Sequence, residues 1–83
     1  MIFLPVRNTG YIMVFDTKIF GERLREMRLD KRITTVQLAE ALGVRNGTIS
    51  KWENAVISPT VASLYIIAKY FGVDADYLMG LKD

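Results

Sequence analysis

The stretch from Thr35 to Trp52 restricts the fold of this 83-residue chain more than any other. Leu38, Ala39 and Leu42 recur at the helical interval before Gly43, and Ile49 and Trp52 do so after it. A glycine between two such runs stops the first helix, because it enters the left-handed backbone region without steric cost. Ala39 falls where the two helices cross, so a larger side chain there pushes them apart. Leu38, Leu42, Val44 and Ile49 fill the wedge between them. The spacing predicts a helix-turn-helix whose second helix, about 46–54, turns one face to solvent.

The flanking sequence continues the helical period. Asp16 or Thr17 caps a helix reaching about Lys31, with Phe20, Leu24 and Met27 as its apolar stripe and Leu29 at the margin. Arg23, Arg25, Glu22 and Glu26 lie on its other faces. Thr34 or Thr35 caps the next helix. Ser58-Pro59-Thr60 opens a fourth, with proline at or just before its first turn and Leu64, Ile67, Ala68 and Phe71 as its buried stripe. Gly72 stops that helix, and Asp74 caps a fifth that carries Tyr77, Leu78 and Leu81. The expected unit is all-α, with five short helices over 17–83. Core packing accounts for these stripes, Met27 and Trp52 included. Tyr65, Tyr70 and Tyr77 are expected to be partly buried, not a platform for stacking bases.

Residues 1–16 follow another rule. Ile2 to Val6 and Tyr11 to Phe15 are β-branched and aromatic runs around the turn cluster Asn8-Thr9-Gly10, which predicts a β-hairpin arm. Pro5 cannot donate to a ladder, so its strand belongs at an edge. An isolated hairpin is marginal in water. The arm therefore rests on its own domain or pairs with a second copy by strand addition, as a dimerisation element.

Composition narrows the chemistry. The chain has no cysteine and no histidine, which removes thiolate metal sites, disulfides and the commonest general base. The acids are scattered and no glycine loop cradles phosphate, so neither an enzyme nor a cofactor, metal or small-molecule substrate is indicated. The net charge is only +2, yet Ala41 to Trp52 holds Arg45 and Lys51 and no acid. No apolar run approaches the roughly 18 residues of a membrane-spanning helix. Ile2 to Leu4 lacks the basic flank and small-residue cleavage pattern of a secretory leader. A soluble, cytoplasmic protein without a membrane partner is expected.

Four segments together resemble a known family: Phe20 to Arg28, Gln37 to Val44, Thr48 to Asn54, and Pro59 to Val73. They are similar in order and spacing to the Xre-type and Cro-type repressors of phages and bacteria, over about residues 17–81. The resemblance implies a five-helix, phage-repressor-like DNA-binding domain that regulates transcription from a double-stranded operator, usually as a homodimer. It also implies an ion pair, Arg28 with Glu53, where the first helix crosses the end of the third. By the same likeness, the start of the third helix enters the major groove and presents Arg45, Asn46, Gly47 and Thr48, with Lys51 one turn on. Arginine suits a guanine edge and asparagine an adenine edge, while Thr48 and Lys51 suit base or phosphate. Thr35 is placed toward a phosphate, and Asn54, Ser58 and Thr60 toward the DNA backbone.

Two residues depart from that pattern. Relatives often carry glutamine where this chain has Thr35, so its phosphate contact is expected to be shorter or absent. Gly47 supplies no side chain for reading and costs its helix roughly 1 kcal/mol against alanine. Either DNA approaches closely there, or the first turn orders only on binding. Two other functions fit the same fold: the antitoxin of a toxin–antitoxin pair, or a protein-interaction module that has lost DNA binding.

Overall fold

Side-chain caps set most of the helix starts. In the computed structural model, which describes the backbone at residues 2–6 and 10–83 and side chains from Phe15 onward, α1 runs Thr17–Asp30. The Asp16 carboxylate accepts hydrogen bonds from the Lys18 and Ile19 amides at 3.0 and 3.1 Å. α2 (Thr35–Leu42) begins with a capping box: Thr34 accepts from the Gln37 amide, and the Gln37 side chain accepts from the Thr34 amide. Thr34, not Thr35, is thus the cap. α3 (Asn46–Glu53) and α5 (Ala75–Met79) start at Arg45 and Asp74 without a side-chain cap bond. Asp74 forms an ion pair with Lys82 instead. α4 (Val61–Phe71) is capped by Thr60, so Pro59 lies just outside the helix.

The ends follow equally local rules. Gly43 closes α2 at φ 72°, the left-handed conformation that its place between two apolar runs predicts. α3 ends at Glu53, with Asn54 as its cap and Ala55 left-handed at φ 59°. Among the described residues the helical body has five helices and no strand, as the periodicity predicts.

Each helix supplies the core. Phe20 and Leu24 come from α1, Leu38 and Ala39 from α2, Ile49 and Trp52 from α3, Leu64 and Ile67 from α4, and Leu78 from α5. Phe20 is the hub, meeting Phe15 and Trp52 edge-on at 6.1 Å between ring centroids. Met27, Leu42, Ala68 and Phe71 are half-buried against this cluster. Leu29 is 53% exposed and Leu81 51%, so neither belongs to the stripe that periodicity assigned it. Leu29 falls off the inward arc of α1, and Leu81 lies beyond the end of α5. Tyr65 is exposed, unlike the half-buried Tyr70 and Tyr77, because it points away from the core side of α4.

The strands β1 (Ile2–Val6) and β2 (Gly10–Val14) pair antiparallel, with Phe3 opposite Met13 and Pro5 opposite Tyr11. Asn8 and Thr9 of the expected turn, and the packing of the arm's side chains, lie outside the described residues. Phe15 and Asp16 already serve the helical body, one against Phe20 and the other as the α1 cap. Among the described residues no helix is long and apolar enough to cross a membrane.

Candidate nucleic-acid interface

The position of α3 is set from both sides. Ile49 and Trp52 anchor its inner face in the core, 0% and 2% exposed. Ala39 on α2 is 4% exposed, which agrees with the small side chain that the crossing requires. On the other side α1 comes so close that a Cβ at Gly21 would lie 2.8 Å from the Glu53 carbonyl oxygen, and nearer still to that of Trp52. Backbone therefore packs against backbone where α1 crosses the end of α3.

The pair expected at this crossing is present. Arg28 Nε donates to Glu53 Oε2 at 2.6 Å and Nη2 to Oε1 at 2.9 Å, a two-bond fork. Arg28 Nη1 also donates to the Ile33 carbonyl at 3.0 Å, which ties in the connector before α2. The side chains are 12% and 6% exposed. The Glu53 hydrogen bond raises the already high Arg28 pKa, burial opposes it, and the Glu53 charge adds to the rise. Arg28 is consequently locked as a cation, and Glu53 is occupied.

Helical phase defines the outward face. At about 100° per residue, the direction opposite Ile49 and Trp52 falls on Gly47, with Ser50 and Lys51 roughly 50° to either side. Asn46 lies at the margin, and Thr48 turns toward the flank, where it is half-buried. Arg45, Asn46, Gly47 and Lys51 are exposed. Among the described residues, the side chains of Arg45, Asn46, Thr48 and Lys51 make no hydrogen bond or ion pair within the fold. The first turn of α3 is formed, with the Thr48 amide donating to the Arg45 carbonyl at 3.0 Å.

The neighbouring candidates divide. Thr35 is half-buried at the first position of α2, and because Thr34 takes the capping role its hydroxyl is left without an internal partner among the described residues. Asn54, Ser58 and Thr60 are exposed but already employed. Asn54 Nδ2 donates to the Ser50 carbonyl at 2.9 Å, Ser58 Oγ lies 3.4 Å from Thr17 Oγ1, and Thr60 caps α4 while donating to Ser63 Oγ at 2.9 Å. Three residues escaped the sequence reading. Ser50 was legible, since counting helical phase from Ile49 places it beside Gly47. Gly21 left a weaker mark, a glycine inside an otherwise helical pattern. Arg23 left none: it donates to the Tyr77 and Lys82 carbonyls and lies 4.3 Å over the Tyr77 ring, a contact spanning most of the chain.

Known proteins share this arrangement. A family model described as helix-turn-helix matches residues 24–78. The chain is 43% identical over 60 residues to the HTH-type transcriptional activator BcrR of Enterococcus faecalis, covering 72% of this chain and 29% of that protein. It is 33% identical over 64 residues to repressor protein C2 of Salmonella phage P22, covering 77% of this chain and 30% of that one. The crystal structure of the latter repressor in complex with a synthetic operator superposes with a TM-score of 0.70 at 33% identity, over 74% of this chain and 92% of the solved one. The chain thus spans under a third of the length of these two curated relatives.

Proposed function

The chain belongs to the helix-turn-helix family, and we propose that it reads duplex DNA sequence-specifically through the outward face of α3 and regulates transcription as a repressor. The observation that carries this reading is the division of charge around α3. Arg45 and Lys51 stand exposed and unpaired within the described fold, while the neighbouring acid, Glu53, is neutralised by Arg28. A phosphate backbone approaching α3 meets cations with no local acid opposing it. The relatives support DNA binding and transcriptional regulation, one being named a repressor and solved on an operator, another an activator.

In this reading Arg45 takes a guanine edge and Asn46 an adenine edge, with Lys51 and Thr48 serving base or phosphate. The free hydroxyl of Thr35 and the start of α2 face a phosphate. Asn54, Ser58 and Thr60 add backbone contacts from the following connector, alongside their internal bonds. The partner is a double-stranded operator, the active form a homodimer and the setting cytoplasmic, with binding and not catalysis as the task.

The test is duplex affinity at several salt concentrations. Affinity should fall linearly with salt on logarithmic axes, and Lys51→Ala should lower that slope by about 1 where the lysine meets a phosphate. Absence of salt-sensitive binding to any duplex in a random pool would leave a protein-interaction module as the reading.

A further inference from the structure

Gly47 occupies the centre of the outward face of α3, yet the fold does not ask for glycine there. Its φ is not positive, unlike those of Gly43, Gly72 and Gly80. A Cβ built on it meets nothing within 4 Å, whereas one at Gly21 collides with the end of α3. Glycine is the least favourable residue after proline in an exposed helix, so the position weakens α3 with no return inside the chain. The return must come from outside, where only backbone is presented.

Resting on the DNA reading above, we infer that Gly47 determines specificity by clearance. The duplex comes closest to α3 at this residue, against Cα and not against a side chain. Lys51 flanks the gap and Asn46 lies at its margin. The base pair opposite Gly47 is selected by the shape of its major-groove edge, with room for a thymine C5 methyl group, since glycine offers no side-chain donor or acceptor to read it. A methyl group added at Cβ fills the gap and lifts the flanking side chains from the bases they read.

Gly47→Ala in the full chain tests this, because folding and binding should move in opposite directions. The thermal midpoint should rise by about 4–8 °C, since alanine is the better helix former. Affinity for the duplex that the unchanged chain selects from a random pool should fall by about tenfold or more, and the variant's own selection should lose thymine at one position. Binding within about twofold of the unchanged chain, or an unaltered selected sequence, overturns the inference. A lowered midpoint also overturns it, by showing that the fold needs glycine. If the unchanged chain selects no duplex at all, the DNA reading fails first, and the two failures are thereby told apart.

Discussion

Arg28 and Glu53 illustrate how a single contact holds a helix in place, here α3. The guanidinium is bound by both Glu53 oxygens and a backbone carbonyl, and little of either side chain meets water. Removing one partner leaves the other charge half-buried and unpaired, so Glu53→Ala should cost about 1.5–3 kcal/mol of stability in urea unfolding. Replacing both residues with apolar ones of similar volume should cost far less. A Glu53→Ala midpoint equal to that of the unchanged protein would remove the pair from the account of α3. The linkage has a definite sign. A cation whose folded pKa is raised contributes fully at every pH below its unfolded value, and loses that contribution only as pH rises through the folded one. The titration of Arg28 itself therefore adds no pH dependence near neutrality.

Among the elements, α5 shows what remote contacts achieve. Five residues are too few for a helix to persist alone, and the Asp74 side chain does not cap it. Leu78 buries fully in the core, and Arg23 from α1 holds the Tyr77 and Lys82 carbonyls at the helix's end. Hydrogen bonds from a charged donor are worth about 1.5–3 kcal/mol, so Arg23→Ala should speed amide exchange in α5 roughly ten- to a hundredfold. Exchange in α1 to α3 should change much less. Unaltered protection at Leu78 would show that its burial suffices. α2 needs no such help, since the capping box and Gly43 fix both its ends from within its own segment.

At the scale of the whole molecule, one small core is shared by five helices, and apolar surface remains outside it. Val61, Tyr65 and Met79 line an apolar groove of about 400 Å³ between α4 and α5, and Val61 is 83% exposed. The arm adds a two-stranded sheet, below the three strands that usually stand alone in water. Pro5 lies on β1, so the edge of β2 is the one suited to pairing with a second copy. On the proposal that the arm joins two copies, deleting residues 1–14 should halve the mass in solution while the helical unfolding transition persists. A dimer that survives the deletion would exclude the arm as the interface.

Much of the fold was legible because it is written locally. Asp16, Thr34 and Thr60 offer oxygens where helices start, Gly43 ends one, and the period of Phe20, Leu24, Leu38, Ile49 and Ile67 names the inward faces. The limits of periodicity show at Leu29 and Leu81, apolar residues left outside by the angle and length of their helices. Of the candidate site, the outward direction of α3 follows from phase, whereas Arg45, Asn46, Thr48 and Lys51 were expected from the family likeness. Only the tertiary structure decided which polar groups the fold consumes. Arg23 is tied to the chain's end and Ser58 to Thr17, whereas Arg45 and Lys51 remain unpaired among the described residues. Period encodes the direction in which a residue points along one helix. Whether it finds a partner depends on distances between segments far apart in sequence, and those exist only once the helices have packed.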